Sequence, residues 1–240
     1  MKLGVFYGIG VGPGDPELIT VKGAAILGRC RHVFVPKARM ASESLALNIA
    51  RRYVAADAVV RELTFPMTRN QAALARSWEA AATEARQAIQ TGADACFLTL
   101  GDPLLYSTCI YMVKALKQME PEIETVIVPG ITSFCAAAAL TCFPIGEAKN
   151  PVTIVPADDL KVIRAALARE GTVVLMKIGE RLNEILAVLE ETGLTGEAVF
   201  VARAGLEGQC VETDLKNLRA EAVAGYLSII LVHTKGGIAR

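Results

Sequence analysis

The run Ala95-Cys96-Phe97-Leu98-Thr99-Leu100 is almost wholly apolar, short, and closed at once by Gly101-Asp102-Pro103. A run of that kind reads as a strand buried on both faces, as in a parallel sheet covered by helices. This expectation restricts the fold more than any other feature. The Gly-Asp-Pro turn falls at the carboxyl end of the strand, where open α/β sheets place their ligands. Gly101 permits close backbone approach, and Pro103 stiffens the exit. Taken alone, the tripeptide is better explained as an ordinary strand-to-helix turn than as a ligand loop.

The amino-terminal loop is harder to explain as a plain connection. Residues 3–9 read as a first strand, followed by Gly10-Val11-Gly12-Pro13-Gly14-Asp15-Pro16. A dinucleotide fingerprint fails on spacing, because Pro13 or Asp15 stands where the third glycine belongs. The second strand, His32-Val33-Phe34-Val35-Pro36, lacks the terminal acid that would hold a ribose, and no Gly-Lys-Ser/Thr of a P-loop occurs. Three glycines and two prolines in seven residues therefore stiffen a turn for some other ligand.

Strand–helix alternation continues along the chain. Helices are expected over 20–27, from a Ser42 cap carrying Leu45, Ile49 and Tyr53, over 70–90, and over 107–119. Glu120-Pro121-Glu122 breaks the pattern and suggests two α/β domains, 1–119 and 120–240. A strand at 124–128 then ends in Pro129-Gly130-Ile131-Thr132-Ser133, where a helix starts. Its first turn offers unpaired N–H groups and two hydroxyls, which suit either an anion or simple capping. Further strands at 152–155, 172–178, 198–202, 209–212 and from Tyr226 onward imply a mixed second sheet.

Composition excludes several functions. Lys+Arg 25 balances Asp+Glu 25, which argues against a generic nucleic-acid binder. His32 and His233 are the only histidines, so a transition-metal centre or a Ser-His-Asp triad is poorly supported, and His233 is expected to be structural. No metal site is expected. Six cysteines without a Cys-x-x-Cys pair read as buried, reduced thiols of a cytoplasmic protein. No run reaches membrane-spanning length, and no signal peptide is evident at Met1-Lys2.

Gly12-Pro13-Gly14-Asp15-Pro16, Gly101-Asp102-Pro103 and Pro129-Gly130-Ile131-Thr132, in this order and spacing, resemble the tetrapyrrole (cobalamin-type, class III) methyltransferases across essentially the whole chain. Within that family, Tyr7 to Gly12, Phe65-Pro66-Met67, Thr99 to Pro103 with Tyr106-Ser107-Thr108, and Gly130 to Phe134 are similar to the branch that methylates C20 of precorrin-2 or its cobalt complex. Leu100 in place of a first glycine, and Ser133 in place of alanine, separate the chain from the uroporphyrinogen-methylating branch. The resemblance implies a homodimer with S-adenosylmethionine held in a cleft between the two domains, S-adenosylhomocysteine as product, and a tetrapyrrole substrate. It implies cofactor contacts from Pro13, Leu100, Gly101, Asp102, Leu105, Thr132, Ser133, Met176 and Ala204, with Leu227 and Ser228 as neighbours. Carboxylates on the substrate call for cations, with Lys37, Arg39, Arg69, Lys149 and Arg203 as candidates; Lys37 and Arg39 read equally as solvated loop charges. Asp102, Tyr106 and Tyr111 are candidates for a base in a later proton loss. Rival readings are another precorrin methylase, an RNA or protein-histidine methylase of the same fold, and a noncatalytic binding protein.

Overall fold

Strand–helix alternation in the first half of the chain builds a five-stranded parallel sheet. The computed structural model describes residues 3–37, 43–66, 68, 70–218 and 227–234. The strands are β1 (Phe6–Gly10), β2 (His32–Lys37), β3 (Val59–Thr64), β4 (Ala95–Thr99) and β5 (Thr125–Val128), in the order β3-β2-β4-β1-β5. The connecting helices are α1 (Val21–Leu27), α2 (Leu45–Ala50), α3 (Gln71–Gln90) and α4 (Cys109–Met119). β4 is the apolar run, buried along its whole length between β1 and β2. Phe6, Phe34 and Phe97 pack beneath α3 and α4, against Ala85, Ile89, Met112 and Leu116. Each buried ring contributes about 1.5–3 kcal/mol. α1 meets the opposite face, with Gly23 set against Ile9.

The strand order positions the site. The chain leaves β1 past β4 towards β2, and leaves β4 past β1 towards β5. Right-handed crossovers therefore send α1 and α4 to opposite faces. The carboxyl ends of β1 and β4 form the switch point at which such sheets receive a ligand.

The chain divides into two compact units between Thr132 and Ser133. The break at Glu120-Pro121-Glu122 lies inside the first unit, because β5 adds to β1 in parallel register, Phe6 opposite Thr125 and Ile9 opposite Val128. The second unit contains α5 (Ser133–Thr141), β6 (Val152–Pro156), α6 (Leu160–Leu167), β7 (Thr172–Met176), α7 (Leu182–Glu191), β8 (Ala198–Ala202), β9 (Cys210–Glu212) and β10 (Ser228–His233). Its sheet order is β6-β7-β10-β8-β9. β6 and β7 are parallel, while β10 runs antiparallel to both neighbours, giving the expected mixed sheet. Ile163, Leu167, Ile185 and Leu189 pack on Leu175, Phe200 and Ile230.

Local details depart from the sequence reading. Ser44, 1% exposed, caps α2 by accepting from Leu47 N at 3.4 Å. Ser42 lies outside the described residues, as do Met67 and Tyr226. Tyr53 belongs to a 3-10 turn that follows α2. All six cysteines are free thiols, but only Cys30, Cys96 and Cys109 are buried; Cys135 and Cys142 are exposed. His233 is structural, with Nε2 2.9 Å from Pro144 O and its ring 3.8 Å from that of Phe143. No helix among the described residues is long and apolar enough to cross a membrane. Nor do the described residues include a group of three or more His, Cys, Asp or Glu placed to hold a metal.

Candidate cofactor site

Three glycines, one ending β1 and one each from the loops after β4 and β5, pack backbone against backbone at the switch point. A Cβ on Gly10 would lie 2.4 Å from Gly101 O and 2.7 Å from Gly130 Cα. One on Gly130 would lie 2.1 Å from Gly101 O. These distances leave room for no side chain. Gly101 differs: its φ of 68° is left-handed, and a Cβ there would meet only Ile131 O, at 3.9 Å. It is glycine for its conformation, and beside it the cradle is open. Gly101 N donates to Gly12 O at 2.8 Å, and Val11 N donates to Thr99 O at 2.9 Å. Pro13 is buried in the loop after β1.

Asp102 joins two of the loops. Its Oδ1 accepts from Leu104 N at 2.8 Å and its Oδ2 from Gly130 N at 3.1 Å. Both oxygens are committed to backbone donors, so Asp102 acts as a brace rather than as a base. Behind it, Thr99 Oγ1 and Ser107 Oγ lie 2.8 Å apart, and Ser107 Oγ accepts from Cys109 N at 3.0 Å. The Cys109 thiol packs under Gly8, where a Cβ would approach it to 2.7 Å. Burial, then the nearby Asp102 carboxylate, pushes its pKa up to about 12. It therefore stays a neutral thiol and is no nucleophile.

Thr132 adds an unsatisfied group. Its Oγ1 is buried and has no hydrogen-bond partner among the described residues. A buried hydroxyl left unpaired costs about 1–3 kcal/mol unless a ligand or water completes it. The cradle and this hydroxyl together fit a cofactor that lays polar groups along backbone. Leu100 and Leu105 flank the Asp102 turn, both partly buried.

In the second unit, four of the expected cofactor neighbours share one end of the sheet. Met176 ends β7 opposite Ile229, and Ser228 opens β10 opposite Ala202. Arg203 N donates to Leu227 O at 3.0 Å, and Ala204 is buried beside it. Lys177, Arg203 and Leu227 are left-handed there, with φ of 57°, 53° and 57°. Such strain gathers at functional sites. Lys177 escaped the sequence reading, since nothing in its neighbours marks a left-handed lysine. Ser133 is the first residue of α5.

The expected cations scatter. Lys37 ends β2 but pairs with Glu62 at 2.7 Å across the β2–β3 register, so its charge is already matched. Lys149 precedes β6, at the opposite end of the second sheet from Met176. Arg203 is exposed, and its Nε donates to Glu207 O at 2.6 Å. Arg39 and Arg69 lie outside the described residues. Tyr111 stacks on Trp78 at 5.3 Å, and Trp78 stacks on Phe65 at 4.0 Å, so its ring serves the α3–α4 contact. Tyr106 is exposed and left-handed, at φ 50°.

Comparison with known proteins identifies the family and the fold. Residues 5–219 match the family Tetrapyrrole (Corrin/Porphyrin) Methylases. The chain is 33% identical to the cobalt-precorrin-2 C(20)-methyltransferase of Salmonella typhimurium, over 96% of each chain. It is 31% identical to the probable cobalt-precorrin-2 C(20)-methyltransferase of Methanocaldococcus jannaschii, over 94% of each. A uroporphyrin-III C-methyltransferase from Thermus thermophilus, solved with S-adenosylhomocysteine, shares the fold with TM-score 0.66 at 18% identity, covering 96% of this chain and 97% of that one. With the family matched over most of its length and relatives above 30% identity spanning nearly all of it, the chain belongs to the tetrapyrrole methylases and is an S-adenosylmethionine-dependent methyltransferase.

Proposed function

We propose that the protein transfers a methyl group from S-adenosylmethionine to C20 of cobalt-precorrin-2 in cobalamin formation. The single observation that carries this reading is the three-glycine cradle with the buried, unpartnered Thr132 hydroxyl two residues beyond Gly130. Identity above 30% to two C20-methyltransferases named for the cobalt form supports that substrate. Pro13, Leu100, Gly101, Asp102, Leu105 and Thr132 are the first unit's cofactor contacts in this reading. Ser133, Met176, Ala204, Leu227 and Ser228 are the second unit's. Arg203 is the expected cation that best suits a substrate carboxylate, being exposed at the same sheet end as those residues.

The bound donor supplies an already activated sulfonium methyl, and a reduced tetrapyrrole carbon is an enamine-like nucleophile. The chain's own residues have only to hold, orient and exclude water, and well-oriented reactants can gain about 7–11 kcal/mol from such positioning. Asp102 fixes the loops after β4 and β5 relative to each other, and Gly101 lets backbone approach the donor. Of the three candidates for a base, only Tyr106 keeps an exposed side chain on the Asp102 loop. A homodimer and a reducing, cytoplasmic setting complete the reading; the exposed free thiols of Cys135 and Cys142 suit the latter.

The test is incubation with methyl-13C-labelled S-adenosylmethionine and precorrin-2, with and without cobalt. Label at C20, entering the cobalt form faster, supports the proposal. Label on another ring carbon, or on neither substrate, overturns it.

A further inference from the structure

We propose that Leu104 and Ile131 form an uncharged shelf that takes the flat face of the tetrapyrrole ring and sets how the ring is presented. This rests on the tetrapyrrole reading above. Leu104 is 60% exposed and Ile131 36% exposed. A single exposed apolar residue means little. These two are held together by one carboxylate: Asp102 accepts from Leu104 N on Oδ1 and from Gly130 N, the residue before Ile131, on Oδ2. The open side of Gly101 has Ile131 O as its nearest neighbour, at 3.9 Å, so the shelf adjoins the cradle.

Charge selects the occupant. Among residues 100–108 and 129–132, Asp102 is the only charged side chain, and both its oxygens are taken by backbone N–H groups. A conjugated ring bearing carboxylates at its edge can lay its face on such a surface without stripping water from an unpaired ion. The polar, charged end of a methionine could not gain from it. The shelf is also preformed: the buried Thr99–Ser107 hydroxyl pair anchors the far end of the Leu104 loop.

The test uses full-length Leu104→Ser, Ile131→Ser and the double variant. Both positions are exposed, and circular dichroism checks that each variant is folded. The readouts are the KM for cobalt-precorrin-2 and the Kd for S-adenosylhomocysteine by calorimetry. The double variant should raise the tetrapyrrole KM ten-fold or more while the S-adenosylhomocysteine Kd stays within two-fold. Leu104→Met should retain near wild-type KM. An unchanged KM in the double variant overturns the shelf, and so does a matching loss of both affinities. Failure of the wild-type protein to bind any tetrapyrrole would remove the substrate reading itself, and the shelf with it.

Discussion

At the carboxyl end of the first sheet, glycines make the close backbone contacts; at the corresponding end of the second, Lys177, Arg203 and Leu227 make left-handed turns while keeping their side chains. In the first unit, backbone lies on backbone, and Gly10 and Gly130 admit no Cβ. In the second, left-handed L-residues cost roughly 1–2 kcal/mol each. Side chains retained at that cost are there for what they touch. One end is a backbone surface, the one the proposal gives to the donor; the other presents side chains.

The sharpest way to break this comparison is to add a methyl group to a tightly packed glycine of the first unit and to an open one of the second. Gly130→Ala forces a Cβ to 2.1 Å from Gly101 O. Overpacking costs about 1–3 kcal/mol, and more against rigid backbone. The variant should lose at least that much stability in urea titration and lose S-adenosylhomocysteine binding. Gly196→Ala, in the second unit with nothing within 4 Å, should change stability by less than about 0.5 kcal/mol. Equal effects would contradict the contrast.

Asp102→Asn comes next. It cannot accept at both former oxygens, so the brace is cut on one side. A lost charge-assisted bond of about 1.5–3 kcal/mol predicts a ten-fold or greater fall in kcat/KM. The pH–rate profile of the variant should keep the wild-type shape, because Asp102 braces the loops and does not take the substrate's proton. Loss of one limb would restore it as a base.

Arg203→Gly relieves the left-handed strain but removes the side chain. Stability should stay within about 1 kcal/mol of wild type, since glycine's extra unfolded entropy offsets the relief. The tetrapyrrole KM should rise.

The smallest effect separates the units by their thiols. Burial pushes the Cys96 thiol up, as it does that of Cys109. Both are neutral when folded, whereas the unfolded chain deprotonates near the ordinary value of 9.0. The contribution of Cys109 to stability is thus complete below pH about 9 and is lost as pH rises towards about 12, and that of Cys96 is lost in the same direction. At pH 8, iodoacetamide should label Cys135 and Cys142 and spare Cys96 and Cys109 until urea is added.

Much of this was legible in the chain. The apolar β4 run, the Gly-Pro loops and the change from alternation to paired strands predict both sheets. What the sequence could not show depends on register and on distance along the chain. Asp102 braces Gly130 across 28 residues. The match of Lys37 with Glu62 needs the β2–β3 register. Lys149 falls at the wrong sheet end only once the direction of β6 is known. α2 is capped by Ser44, two residues beyond the Ser42 cap that the sequence suggests.

The central claim is that the cradle of Gly10, Gly101 and Gly130 receives the methyl donor. A crystal structure of the protein with S-adenosylhomocysteine tests it most directly. The account predicts ligand atoms in van der Waals contact with Gly101 and a hydrogen bond to Thr132 Oγ1. Ligand bound elsewhere, with the Asp102 turn bare and the Thr132 hydroxyl still unpaired, would contradict it.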